Sequence, residues 1–215
     1  MGTPSEEVKE IPVEILAPDP MNVREAPKID DEFRKSIEKG VIEPLIVRPV
    51  NSIESRKARE GLQSSNKQFA VTAGVRRLEA ALQAELKAVP CIVRELSDIE
   101  ARMLSIAENW QRQDIPPHRW VEIIPEVYNK LKGGRDERVK KICENTGIGY
   151  SSIYRYLILS EAVPDDFKIR LKEPEERSFS ENKLLTETSL WGGLRKMLRL
   201  TKAVRKFLLL SLSLI

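Results

Sequence analysis

Three short stretches bring together side chains suited to binding or catalysis. In Thr72-Ala-Gly-Val-Arg-Arg77 a glycine stands where an apolar strand pattern gives way to a helical one. Gly74 would let backbone N–H groups approach an anion at the helix N-terminus. Arg76 and Arg77 add fork-shaped donors that suit phosphate, although an arginine pair in a first turn equally fits a solvated face. In Ala107-Glu-Asn-Trp-Gln-Arg112, Glu108 and Arg112 stand four apart, the spacing of a surface ion pair. A second reading makes this a polar helix end facing a cleft. Glu108 and Asn109 then offer oxygens to Mg²⁺, with Glu108 the candidate catalytic carboxylate, and Arg112 reaches a nucleotide.

The third stretch runs from Val139 to Leu157 and has the pattern of a helix-turn-helix. Ile142 points inward, Cys143 is the small residue needed where two helices approach, and Gly147 stands where the turn wants a positive φ. Ile148 and Ile153 fix the second helix, leaving Tyr150, Ser151, Tyr154 and Arg155 outward. Hydroxyls and a guanidinium read base edges, and Lys140 and Lys141 suit phosphates. A plain helical hairpin with Gly147 as its cap is the competing reading. Gly149 stands where a Ser or Thr would cap the second helix better. The single histidine, His118, excludes a His-rich metal centre and leaves a Ser-His-Asp mechanism without a nucleophile motif.

These stretches need elements to position them. Ile11–Leu16 alternates as an edge strand, and residues 17–24 form a turn-rich loop. Residues 29–39 read as a helix capped by Asp30 or Asp31, with Phe33 and Ile37 on its apolar face and Gly40 as its stop. Residues 44–50 and 68–73 read as strands joined by a polar hairpin loop over 51–66. Gly74 then opens a helix with Leu78, Ala81, Leu82 and Leu86 at core spacing. Residues 88–94 form another strand, and Ser97-Asp-Ile-Glu100 is a capping box for a helix to Arg112. From Asp114 the pattern is all helical. Trp120, Val121, Ile124, Val127, Tyr128 and Leu131 form a stripe around Pro125, and Gly133-Gly134 stops it. Helices over 136–146 and 150–160 follow, then a helical stretch to 186.

The fold class expected is therefore α+β, a small mixed α/β N-terminal domain followed by an all-α helix-turn-helix domain. The divisions are a flexible N-terminus over 1–10, a nucleotide-binding or interaction domain over 11–113, a DNA-binding domain over 114–186 and a basic amphipathic tail over 187–215.

The 215 residues carry 36 Lys and Arg against 33 Asp and Glu, a net charge of +3. Residues 191–215 hold six of those basic residues and no acid, so the remainder is slightly acidic. Nucleic-acid contact must come from a local patch rather than a global field. The tail fits an oligomerisation helix, a non-specific DNA arm, a membrane-surface helix or an unselected end. The longest apolar run, Phe207–Ile215, is too short to cross a bilayer. With no signal-peptide pattern and only Cys91 and Cys143, the expected setting is cytoplasmic, without membrane attachment.

In this order, Asp19-Pro-Met-Asn-Val-Arg24, Ser36-Ile-Glu-Lys-Gly-Val-Ile-Glu-Pro-Leu-Ile-Val-Arg48, Ala73-Gly-Val-Arg-Arg-Leu-Glu-Ala80 and Glu108-Asn-Trp-Gln-Arg-Gln-Asp114 resemble the ParB-type plasmid and chromosome partition proteins. The resemblance covers roughly residues 11–185, and the ordered combination is its specific part. It implies a sulfiredoxin-like N-terminal domain and a helix-turn-helix that binds a centromere-like site in double-stranded DNA. It also implies a ParA-type ATPase partner, a homodimer or higher assembly, and association with nucleoid or plasmid. CTP with Mg²⁺ is the implied ligand, held by Gly74, Arg76, Arg77, Glu108, Asn109 and Arg112. Val75 stands where the family usually has glutamate, which leaves CTP hydrolysis open. The family's separate C-terminal dimerisation domain has no counterpart in the matched stretch. The alternatives are a ParB-fold enzyme (nucleotide hydrolase, kinase-like or nuclease) and an adaptor between another DNA-binding protein and a ParA-type ATPase.

Overall fold

In the computed structural model five short strands among the described residues form one mixed sheet in the order β1-β5-β3-β4-β2. The strands are β1 (Val8–Pro12), β2 (Leu16–Pro18), β3 (Leu45–Pro49), β4 (Phe69–Ala73) and β5 (Ala88–Val93). The helices are α1 (Asp31–Glu38), α2 (Arg56–Ser64), α3 (Val75–Gln83), α4 (Asp98–Arg112), α5 (Pro117–Lys130), α6 (Arg135–Thr146) and α7 (Tyr150–Ala162). The structure describes residues 7–23, 29–38, 40–41, 43–112, 115 and 117–162, without the side chains of 111, 112, 117, 118 and 162. The expected helical stretch to 186, the tail over 187–215 and the side chains of Arg112 and His118 therefore lie outside the described residues.

The described residues group into two compact units, one within residues 7–112 together with 130–148 and one within 115–129 together with 149–162. In the first, β3 is central, parallel to β5 and antiparallel to β4, while β1 and β2 take opposite edges. Only residues 13–15, a 3-10 turn, separate those two edge strands. Flat strands at this spacing would set the edges about 19 Å apart. Four residues reach no more than about 14 Å, so the sheet must curl toward closure.

Strand β4 reads Phe-Ala-Val-Thr-Ala with four of five residues buried, the pattern of a strand covered on both faces. Val71 joins Leu45, Val47, Leu78, Ala81, Val89 and Cys91 in the main core, where Phe33 and Ile37 also pack. Ala70 joins Val50 and Ile53 in a smaller cluster beside Ala58 and Leu62 of α2. Burial, with Glu10 nearby, pushes the Cys91 thiol up to about 12, so it stays protonated and behaves as an apolar residue.

Several expected boundaries shift. The first strand begins at Val8, inside the stretch expected to be flexible, because β1 pairs with β5 from Val8↔Ile92 onward. The single strand expected over 11–16 is two strands on opposite edges. The loop expected over 51–66 contains α2, which has no fully buried residue. Leu82, expected in the core, is 45% exposed, while Leu78, Ala80 and Ala81 are buried.

The expected caps form. Asp30 Oδ1 accepts the Phe33 N–H at 2.7 Å and opens α1. Glu100 Oε2 accepts from the Ser97 N–H at 2.9 Å and from Ser97 Oγ at 2.6 Å, closing the capping box of α4. These bonds favour the carboxylate and hold Glu100 below its usual range. In the second unit Trp120, Val121, Ile123, Ile124 and Val127 are buried on α5, as are Ile153, Tyr156, Leu157, Ile158 and Leu159 on α7.

Among the described residues the largest fully buried side chain is a charged one, Arg48, the fourth residue of β3. Asp19 receives its Nε at 2.6 Å and its Nη2 at 2.9 Å, the bidentate geometry of a strong pair. Its Nη1 lies 2.8 Å from Asp98 Oδ1 and donates to Leu96 O at 3.1 Å. Thr72 Oγ1 donates to Asp19 Oδ2 at 3.0 Å. Burial alone would lower the Arg48 pKa, but hydrogen bonds and charge from Asp19 and Asp98 outweigh it and hold it above the ordinary value.

Two stability measurements follow. Asp19→Ala leaves a buried guanidinium short of a partner and should cost about 3–5 kcal/mol, read from the urea midpoint at constant slope. A loss below about 1 kcal/mol would show that Asp98 alone satisfies Arg48. Gly74 has φ +95, and an added Cβ would sit 3.2 Å from Leu45 Cγ and from Arg77 Nη2. Gly74→Ala should therefore cost about 1–3 kcal/mol, whereas Gly61→Ala, where a Cβ meets nothing within 4 Å, should be neutral or stabilising.

Candidate functional site

Strand β4 passes into α3 through one residue. Gly74 takes the left-handed conformation (φ 95, ψ 23) as the N-cap and has no side chain to close the helix end. Its carbonyl accepts the N–H groups of Arg77 at 2.9 Å and Leu78 at 3.1 Å. Its own N–H points toward α4, where Glu108 Oε2 accepts it at 3.4 Å. The structure thus brings together two residues 34 apart in sequence, at a helix end whose dipole favours negative charge.

Arg76 Nη2 lies 2.6 Å from Asp30 Oδ2, and its guanidinium carbon stands 4.3 Å from the Phe33 ring centroid. Arg76 Nε is buried and has no acceptor in the protein. Arg77 Nη1 donates to the carbonyls of Glu43 and Pro44, and Arg77 Nη2 lies 3.3 Å from Glu43 Oε2. Arg77 Nη2 also lies against Gly74, where a Cβ would come within 3.2 Å of it. As neighbours of these arginines, Asp30, Phe33 and Glu43 escaped the sequence reading. Only the helix over 29–39 and its acidic cap hinted at them.

Asn109 is buried, and its Nδ2 donates to Ser105 O one turn earlier at 2.8 Å. That bond commits the amide nitrogen and leaves Oδ1 as an acceptor. Glu108 and Asn109 are successive helix residues, whose side chains leave the helix in different directions. Among the described residues no group of three or more His, Cys, Asp or Glu is arranged to hold a metal. A single carboxylate and an amide oxygen suit Mg²⁺ that arrives with a phosphate ligand rather than a closed protein cage. Val75, the first residue of α3, packs its side chain against the main core.

The residues expected to contact DNA fall on α6, in the first unit, and on α7, in the second, and each helix is described by itself. Thr146 Oγ1 donates to Ile142 O at 2.6 Å, and the Gly147 N–H donates to Cys143 O at 2.9 Å. Gly147 has φ +72, the left-handed stop that ends α6. Burial, with Glu144 nearby, raises the Cys143 thiol above its usual value. Lys140 and Lys141 are exposed and pair along the helix with Glu144 at 3.7 Å and Glu137 at 3.2 Å. On α7, Tyr150 and Ser151 are exposed while Tyr154 and Arg155 are half-buried. Among the described residues no helix is long and apolar enough to cross a membrane.

Comparison with known proteins matches residues 2–110 to the ParB N-terminal domain. The chromosome-partitioning protein Spo0J of Thermus thermophilus is 30% identical over 93% of this chain and 68% of its own length. The probable plasmid-partitioning protein ParB of the same organism is 27% identical over 80% of this chain and 63% of its own length. This chain covers 44% of the stage 0 sporulation protein J of Bacillus subtilis, so it spans only part of several of these relatives. Among solved structures, the C-terminally truncated chromosome-partitioning protein ParB of Caulobacter crescentus, complexed to the centromeric parS site, superposes with a TM-score of 0.53. The two are 25% identical, over 94% of this chain and 97% of that one. The domain match, the shared length with Spo0J and the common α+β fold together make this chain a member of the ParB family of partition proteins.

Proposed function

We propose that this chain is a DNA-binding partition protein whose α/β part binds CTP with Mg²⁺ and whose α7 reads a centromere-like site. The observation that carries the nucleotide half is the uncapped, left-handed Gly74 at the start of α3, flanked by two arginines and faced by Glu108. Backbone N–H groups and two guanidinium forks suit a polyphosphate better than a single carboxylate. In this reading Gly74, Arg76 and Arg77 hold the phosphates, and Glu108 and Asn109 offer oxygens to Mg²⁺. Arg112, whose side chain lies outside the described residues, contacts the nucleotide. Mg²⁺ would neutralise phosphate charge there. Val75 supplies no group to move a proton, so the site is read as one that binds rather than hydrolyses.

The DNA half is supported by the Gly147 turn and by the polar residues at the start of α7. Tyr150, Ser151, Tyr154 and Arg155 are assigned to base edges, Lys140 and Lys141 to phosphates. The family and the Caulobacter complex with parS support the DNA half. The family resemblance alone supports a ParA-type ATPase as partner, a dimer or higher assembly, and a place on the nucleoid or a plasmid.

Calorimetric titration with CTP, ATP and GTP in Mg²⁺ tests the first half. CTP should bind selectively, and Arg76→Ala should weaken it by about 10–100-fold, the worth of a charge-assisted hydrogen bond. No nucleotide binding would leave the α/β part as an interaction module. Phosphate release should stay at background, and turnover abolished by Glu108→Gln would favour the enzyme reading instead. For the second half, Arg155→Ala should cost about 1–3 kcal/mol against specific DNA and little against random DNA. Lys140→Ala should weaken both equally and make the salt slope about one unit shallower. Steep salt dependence with no sequence preference in the parent chain would favour the adaptor reading.

A further inference from the structure

The donors assigned to phosphate at the start of α3 each face a carboxylate of this same chain. Arg76 Nη2 meets Asp30, Arg77 Nη2 meets Glu43, and the Gly74 N–H meets Glu108. Resting on the nucleotide reading above, we propose that Asp30 and Glu43 set the affinity of this site by occupying its two arginines. An incoming polyphosphate then exchanges partners with them rather than meeting free cations.

The geometry lets each pair open without dismantling its surroundings. Asp30 divides its carboxylate. Oδ1 caps α1 through the Phe33 N–H at 2.7 Å, while Oδ2 alone holds Arg76 at 2.6 Å. Loss of Arg76 leaves the cap in place. Arg76 in turn keeps its guanidinium over the Phe33 ring, which presents the freed fork in a fixed plane. Arg77 is divided in the same way. Nη1 stays on the carbonyls of Glu43 and Pro44, and only Nη2, beside Gly74, is held by the Glu43 carboxylate. The two carboxylates are the exposed members of their pairs, with side chains 61% and 73% accessible against 32% for Arg76 and 13% for Arg77. The acids can therefore swing into water while the arginines stay. Exposed pairs of this kind are weak, so a phosphate with several charges displaces them, whereas a singly charged anion does so poorly.

The test is the affinity of full-length variants for CTP with Mg²⁺ and, separately, for inorganic phosphate. Asp30→Asn keeps a residue that caps helices equally well while removing its charge. Glu43→Gln keeps the shape of the side chain. Each should tighten CTP about two- to five-fold, the worth of one exposed ion pair, and the double variant should gain roughly the product. Glu32→Gln removes the same charge from an exposed position of α1 and should change affinity by less than the single variants do. Inorganic phosphate should bind measurably only in the double variant. Asp30→Asn and Glu43→Gln indistinguishable from Glu32→Gln, with CTP still bound by the parent chain, would overturn the exchange alone. No CTP binding by any variant would overturn the nucleotide reading and the exchange with it.

Discussion

A guanidinium with no solvent exposure, in the central strand of a small sheet, constrains everything around it. Arg48 cannot give up its charge, and an unpaired charge at that depth is not tolerated. Asp19 after β2, Asp98 at the start of α4, Thr72 of β4 (through Asp19) and the Leu96 carbonyl must all converge on it. Replacing such a network by packed apolar residues can be neutral or stabilising in general, so net stability is a poor account of its presence. Its effect is selective. A slip of β3 against β4, or a different start for α4, would strand a charge, and the alternatives to the native register are penalised most. Asp19 and two residues of α4 together fix the segment after β2. Asp19 Oδ1 accepts the Met21 N–H, Arg102 donates to the carbonyls of Met21 and Asn22, and the Val23 N–H reaches Ser105 Oγ.

The candidate nucleotide site inherits its geometry from this constraint. Glu108 lies ten residues beyond Asp98 on α4, and Gly74 lies two residues beyond Thr72 on β4. Both anchor residues are tied to the same buried cluster, Asp98 directly to Arg48 and Thr72 through Asp19. The Glu108 carboxylate therefore meets the Gly74 N–H because two rigid elements leave one fixed point, not because either residue seeks the other. Arg76 and Arg77 are placed differently. Of their partners, Asp30 caps α1, which leans on the core through Phe33 and Ile37, and Glu43 and Pro44 immediately precede β3. One side of the site is thus anchored by buried charge and the other by apolar packing and exposed ion pairs.

What was legible in the sequence follows from what is local. Gly74, the Ser97–Glu100 box, the Asp30 cap and the Gly147 stop are each decided within a turn of chain, and each forms as the residues imply. Helix α2 was missed because it has no fully buried residue. Its apolar face is reduced to Ala58 and Leu62, which pack on Val50 and Ile53, while Arg59 donates to Ile53 O and Gln63 to Asn51 Oδ1, so polar residues dominate the stretch. The split of the first strand was missed because alternation reports pairing but not the partner. Val8–Pro12 and Leu16–Pro18 pair at opposite edges, which only the curl of the sheet allows. An arginine inside Pro-Leu-Ile-Val-Arg-Pro-Val was itself a sign of a buried counter-charge. Asp19, in a turn 29 residues earlier, carried nothing that named it as the partner. As partners of Arg76 and Arg77, Asp30 and Glu43 were invisible for the same reason, since ion pairs over 46 and 34 residues leave no trace in spacing.

The pairing of charges also explains a composition that looked uninformative. With 36 basic and 33 acidic residues the chain has almost no global field to draw in an anion. At both candidate sites the cations with identified partners are matched one to one, Arg76 with Asp30 and Arg77 with Glu43, Lys140 with Glu144 and Lys141 with Glu137. Gly149 fits the same economy. It opens α7 through its carbonyl alone, accepting from Ser152 and Ile153, and a glycine cap costs only a few tenths of a kcal/mol against serine. The absent serine is therefore no argument against α7 as a reading helix. Polyanions recognised by such a surface gain less from each contact than they would from free cations. On the proposal above, singly charged anions of the solvent would compete poorly there, and discrimination by number of charges would need no more than the net +3 the chain carries.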